Sequence, residues 1–173
     1  MEKQPDHPAG SEPSETAGGL DRFIPFQIYR IMAKAASVAS ADYAKLGISV
    51  QEARLLMLLL ERPAIRAGEL SDAACIEASL LSHMLRHLAA KGFIHRERDP
   101  AQRRSVQVFL TERGEAVARD CMALSAAHQN MLLAGFDARQ IDLLRATLDA
   151  MYANVSGLEQ AGSPWPAMMK TGG

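Results

Sequence analysis

Residues 70–114 read LSDAACIEASLLSHMLRHLAAKGFIHRERDPAQRRSVQVFLTERG. The first part carries a helical repeat. Leu81, Met84, Leu85 and Leu88 recur at the spacing of one inward face, while Ser79, Ser82, His83 and Arg86 fall on the outward one. Gly92 stands where a helix needs a left-handed terminator. The repeat then changes to that of a strand. FIHRER reads as a rising strand, DPAQRR as a loop and SVQVFL as the returning strand, with Val106, Val108 and Leu110 on one face. Arg96 and Arg98 are expected to point to opposite faces of the rising strand, so that at most one joins the basic surface.

The elements upstream complete the pattern. Ser49-Val-Gln-Glu52 is a capping box, and the helix it opens carries Leu55, Leu56, Leu59 and Leu60 before Pro63 stops it. A short helix follows through AGELSDAAC, and Ile76-Glu77 turns the chain into the helix at 78–91. A helix-turn-helix followed by a β-hairpin is a winged helix. Its second helix suits a major groove, and a hairpin tip rich in arginine suits phosphates or a narrow minor groove.

The charge distribution agrees. The chain has 173 residues and a formal net charge of −1. Between His83 and Arg104, however, Arg86, Lys91, Arg96, Arg98, Arg103 and Arg104 face only Glu97 and Asp99. A local cationic stretch on an acidic remainder is an electrostatic footprint, although on charge alone a solvated surface is the better explanation.

Long helices flank this centre. Pro25 fits the first position of a helix through FQIYRIMAKAASVASADYAKLG, with Ile28, Ile31, Met32, Ala35, Val38 and Ala39 on one stripe. LDRFI at 20–24 reads as an extended lead-in. Thr111 caps the next helix, through Val117, Cys121, Leu124, Met131 and Leu132. Asp137-Ala-Arg-Gln140 is a second capping box, opening a helix through Ile141, Leu144, Leu148, Met151 and Val155. The divisions are 1–19, a disordered extension; 20–48, an N-terminal helix; 49–111, the winged helix; 112–157, C-terminal helices; and 158–173, an irregular tail. The fold class is mainly α with a small β-hairpin.

Other function classes lack support. No run of apolar residues is long enough to span a membrane, and the N-terminus has no secretory h-region, so a cytoplasmic protein is expected. Cys75 and Cys121 have neither metal-ligand nor CxxC spacing; each reads as a core cysteine before a redox sensor. No GxSxG, P-loop, HExxH or GxGxxG motif is present, and neither an enzyme nor a cofactor is expected.

The combination Lys91-Gly92, Arg96..Asp99-Pro100..Arg103-Arg104 and Leu110-Thr111..Gly114 resembles the MarR family of bacterial transcription regulators. The likeness extends over about 20–157. It implies a homodimer built from the N- and C-terminal helices, with two winged helices on a pseudo-palindromic operator in double-stranded DNA. Ser79, Ser82, His83 and Arg86 are then groove contacts, Arg86 reading guanine or clamping phosphate. Arg103 and Arg104 belong to the wing, one in or near the minor groove and the other on a phosphate or on Asp99. The likeness also implies a repressor released by a small aromatic acid or phenol, with Tyr29, Arg30, Met32 and Arg54 as lining residues. The sequence departs from the family at Gln102, where an aspartate commonly orients the wing arginine, and at Arg66, where a threonine cap is common. Leu80 either contacts a thymine methyl or packs inward, and inward packing is the expectation. The competing reading is a winged-helix protein-interaction module without specific DNA binding.

Overall fold

Long helices precede and follow a winged helix-turn-helix in the chain order that the sequence predicts, with one strand more than expected. The structure is a computed structural model that describes residues 19–98 and 106–160. The elements are α1 (Ile24–Lys45), α2 (Val50–Glu61), β1 (Ile65–Arg66), α3 (Ala67–Ala74), α4 (Ala78–Ala90), β2 (Ile94–Arg98), β3 (Val106–Leu110), α5 (Glu112–Leu132) and α6 (Ala138–Gln160). The lead-in is not extended. Leu20–Arg22 forms a 3-10 turn, closed by Gln27 Nε2 donating to the Asp21 carbonyl at 2.8 Å.

The chain divides into two units, residues 1–128 and 129–173. The core of the first is aliphatic. Leu55, Leu56 and Leu59 of α2 and Leu70 of α3 pack with Leu81, Met84, Leu85 and Leu88 of α4, and Val108 joins them from β3. Burying a leucine completely contributes about 1.5–3 kcal/mol, so α2 is the element on which the unit is built. The Ser49 box is present: the Glu52 N–H donates to Ser49 Oγ at 3.1 Å, and the Ser49 N–H donates to Glu52 Oε2 at 2.8 Å.

The hairpin is part of a three-stranded antiparallel sheet in the order β1-β3-β2. No repeat in the sequence announces β1. It is two residues long, Ile65 opposite Val108 and Arg66 opposite Gln107, too short to show any alternation. Its worth lies in Ile65, which is buried and ties the wing's base to the core. Between β2 and β3 the register sets Arg96 opposite Val108 and Arg98 opposite Val106. The expectation of opposite faces for Arg96 and Arg98 is therefore corrected: residues two apart on a strand share a face.

In the second unit α6 begins at the predicted box, Asp137 N–H to Gln140 Oε1 at 2.9 Å and Gln140 N–H to Asp137 Oδ1 at 2.8 Å. The helix continues to Gln160, three residues into the stretch expected to be irregular. The expected disorder at 1–18 and the remaining tail, 161–173, lie outside the described residues.

Candidate nucleic-acid interface

Helix α4 is the second helix of the helix-turn-helix, and its two faces divide cleanly. Leu81, Met84, Leu85 and Leu88 are buried. Ser79, Ser82, His83 and Arg86 are exposed, as the sequence predicts. Ser82, His83 and Arg86 have no hydrogen-bond or ion-pair partner among the described residues. Ser79 is different. Glu77, which the sequence suggests only as a turn, is the N-cap of α4. Its Oε2 accepts from the backbone N–H of Ser79 at 3.1 Å and of Leu80 at 3.4 Å, and from the Ser79 hydroxyl. These bonds hold the Glu77 carboxyl below the usual carboxylate range, the Ser79 hydroxyl first. Leu80 does not pack inward; it is 43% exposed. It sits on the first turn, about a quarter turn from the centre of the buried stripe, too far round to reach the core.

The turn that aims α4 contains Cys75, the α3 C-cap, at φ +51°. A left-handed residue there reverses the chain within two residues of α4. The far end of α4 is held by residues of α2, of the α1–α2 connection and of α5. Glu52 of α2 accepts from Nδ1 of His87. The Lys91 ammonium donates to the carbonyl of Gly47. Lys91 therefore anchors the helix end, and the cationic surface that the sequence suggests loses one member. Arg113 of α5 donates to the Lys91 carbonyl at 3.0 Å and stacks over Phe93, 4.9 Å from its centroid. Gly92 takes φ +70°, the left-handed terminator expected. Thr111 Oγ1 donates to the Gly92 carbonyl at 2.7 Å and accepts from the Gly114 N–H at 3.0 Å, so it caps α5 while fixing the end of α4.

The wing rises from this base. On one face His95 stacks on Phe109 at 5.2 Å and approaches Glu97 at 3.3 Å. Arg96 and Arg98 lie on the other face, both exposed. The wing-tip residues Asp99, Gln102, Arg103 and Arg104 lie outside the described residues. At the α3 start, the Arg66 N–H donates to Glu69 Oε2 at 3.3 Å, so Glu69 supplies the bond that a threonine cap would share.

A groove of about 370 Å³ lies among α2, α3 and α5, lined by Arg54, Met57, Leu58, Glu61, Ala73, Ala74, Met122 and Ser125. Its interior is apolar, with a cation and a carboxylate among the lining side chains. Behind it the Tyr43 hydroxyl meets Ser125 Oγ at 2.8 Å, and Ser125 reaches Met57 Sδ at 3.4 Å. Asp42 binds Lys45 at 2.8 Å and His128 at 3.1 Å, and these two hold its carboxyl below the usual range. Of the four expected ligand residues, only Arg54 lines this groove. Tyr29 and Met32 are exposed on α1, and Arg30 is paired with Asp21 at 2.6 Å. The first turns of α1, which carry Tyr29, Arg30 and Met32, do not line this groove.

The expectation of two core cysteines holds for Cys121, which is fully buried, and is corrected for Cys75, an exposed free thiol because it forms the left-handed C-cap of α3. Burial, with Asp120 nearby, pushes the Cys121 thiol up to about 11, which makes it a core residue and a poor thiolate. Among the described residues no group of three or more His, Cys, Asp or Glu side chains could hold a metal, and no helix is long and apolar enough to cross a membrane.

The arrangement defines a winged helix-turn-helix protein whose second helix, α4, presents a polar, partly cationic outer face. The MarR family model matches residues 48–106. A MarR-family transcriptional regulator from Silicibacter pomeroyi is 31% identical with a TM-score of 0.71, covering 79% of this chain and 92% of that one. The chain belongs to the MarR family. An HTH-type transcriptional repressor of Mycobacterium tuberculosis is 28% identical over 120 residues, 69% of this chain and 86% of the relative. A putative MarR-family regulator from Listeria monocytogenes, solved in complex with 26mer DNA, shares the fold at a TM-score of 0.75 and 19% identity, covering 81% of this chain and 95% of that one.

Proposed function

We propose that this protein is a sequence-specific DNA-binding transcription regulator that acts as a homodimeric repressor. The observation that carries the reading is the outward face of α4. Ser82, His83 and Arg86 stand exposed and unpartnered among the described residues, on a helix whose opposite face is wholly committed to the core. Such a face supplies donors and a cation to base edges and phosphates. The repressor from M. tuberculosis and the Listeria protein bound to DNA make nucleic acid the natural partner. Arg103 and Arg104 of the wing add phosphate or minor-groove contacts.

The groove beside Arg54 supports a response to a small molecule. An apolar lining with one guanidinium suits an aromatic acid or a phenol. Its walls include α3, the first helix of the reading motif, so a ligand that prefers one setting of α3 shifts DNA affinity by its differential affinity for the two settings.

A fluorescence-anisotropy titration against the protein's own promoter, at two salt concentrations and with a scrambled duplex, tests the reading. Tight, salt-sensitive binding that prefers the promoter is expected. Equal weak binding to both duplexes would favour a winged-helix module that contacts protein. Aromatic acids that release the promoter in the same assay would establish the effector class.

A further inference from the structure

We propose that Leu80 is a base-reading residue, its side chain contacting the C5-methyl group of a thymine in the major groove. The inference rests on the DNA-binding reading above and adds a chemical preference to it. Among the described residues between 49 and 111, Leu80 and Val106 are the only large apolar side chains left exposed. Leu80 alone of these lies on the reading helix, in its first turn, where such a helix approaches base edges.

The cap around it decides what that turn can do. Glu77 takes the backbone N–H groups of Ser79 and Leu80 and the Ser79 hydroxyl as well. The usual attraction of a helix N-terminus for phosphate is thereby used up inside the protein. The Glu77 carboxylate also repels the DNA backbone. What the first turn still offers to a groove is the apolar surface of Leu80. The thymine methyl is the one apolar group on the floor of the major groove, and it matches that surface. His83, one turn on, and Arg86 supply the polar contacts deeper along the helix.

The test uses the full-length protein. In vitro selection from random duplexes yields its preferred sequence. Each thymine is then replaced by deoxyuridine, symmetrically in both half-sites, and affinity is read by anisotropy. Wild type is expected to lose about fourfold per half-site at one position, the value of one buried methyl group. Leu80→Ala is expected to bind the thymine duplex more weakly and to be indifferent to deoxyuridine there, while Leu80→Met keeps the discrimination. Leu80 is exposed, so an unchanged melting temperature shows that both variants are folded. If wild type tolerates deoxyuridine everywhere, or Leu80→Ala discriminates as well as wild type, Leu80 does not read a methyl. If selection enriches no sequence, the DNA-binding reading itself fails, and this inference fails with it.

Discussion

Glu52 and His87 lie 35 residues apart in the chain, yet one carboxylate joins them: Oε2 of Glu52 accepts the Ser49 N–H that starts α2, and Oε1 accepts from Nδ1 of His87 on the outer flank of α4. Glu52 is 4% exposed and is the one buried charged side chain among the described residues. It therefore sets α4 against α2 through a single group.

Burial pushes the Glu52 carboxyl up, but the Ser49 N–H, His87 and the charge of Lys91 outweigh it, and its pKa lies below the ordinary 4.5. A carboxylate lowered in the folded state contributes stability that is complete above its unfolded value and is lost as pH falls through the folded value. Glu52→Gln should therefore cost about 1–3 kcal/mol at pH 7, and the gap to wild type should close in acid below the ordinary value. Urea unfolding at a series of pH values measures both. A gap that is absent at neutral pH, or that persists unchanged into strong acid, would show that the ionised carboxylate is not what joins the helices.

The junction behind the wing gives a second prediction. A Cβ on Gly114 would stand 1.8 Å from the Phe93 carbonyl oxygen and 2.8 Å from its carbon. Both atoms are backbone, and that carbonyl already accepts the Thr111 N–H at 3.0 Å. Gly114→Ala should cost about 3 kcal/mol or more. Gly92→Ala is the contrast: its Cβ meets nothing within 4 Å, so only the left-handed backbone opposes it, at about 1–2 kcal/mol. Chemical denaturation of the two variants should rank them in that order. Equal stability would mean that the start of α5 does not approach the Phe93 carbonyl so closely.

The parts of this fold that are legible in the sequence are those written in a local repeat. The α4 stripe, the Ser49 and Asp137 boxes, Gly92 and the Thr111 cap depend on residues within a few positions of one another. What is not legible depends on distance along the chain or on an unusual choice of residue. β1 has only Ile65 and Arg66, and its existence depends on Val108 more than forty residues away. Glu77 as an N-cap contradicts the preference for serine, threonine, asparagine or aspartate. The Lys91 bond to Gly47 and the Glu52 bond to His87 turn two apparent surface residues into supports for α4. For Leu80, composition favours the core, and helical phase decides otherwise.

The cationic residues should separate into two kinds. Arg86→Ala on α4 should weaken promoter binding at least tenfold and relax the preference for promoter over scrambled duplex, because a base contact carries sequence information. Arg103→Ala with Arg104→Ala should also weaken binding at least tenfold, and the salt slope should fall by about one for each phosphate that an arginine no longer neutralises. Anisotropy at several salt concentrations distinguishes the two. Unchanged affinity of the double variant at physiological salt would remove the wing from the interface.

The flanking helices carry the last prediction. Ile24, Ile31, Met32 and Val38 of α1 are each about half exposed in the single chain, and Leu143, Tyr152 and Val155 of α6 are exposed by 65–68%. Apolar side chains repeated along two long helices form patches that a lone soluble chain rarely leaves in water. Two copies that cover one another would remove them, and would also space two α4 helices for a two-fold operator. Ile31→Asp and Val155→Asp should therefore shift the protein from two copies to one in sedimentation velocity. The winged helix should stay folded, because neither side chain belongs to its core. Operator binding should fall far more than damage to a single half-site would cause, since two linked half-sites bind with the advantage of effective concentration. A wild-type protein that sediments as a single copy at tens of micromolar, with both variants binding the promoter as it does, would leave these faces for some other partner.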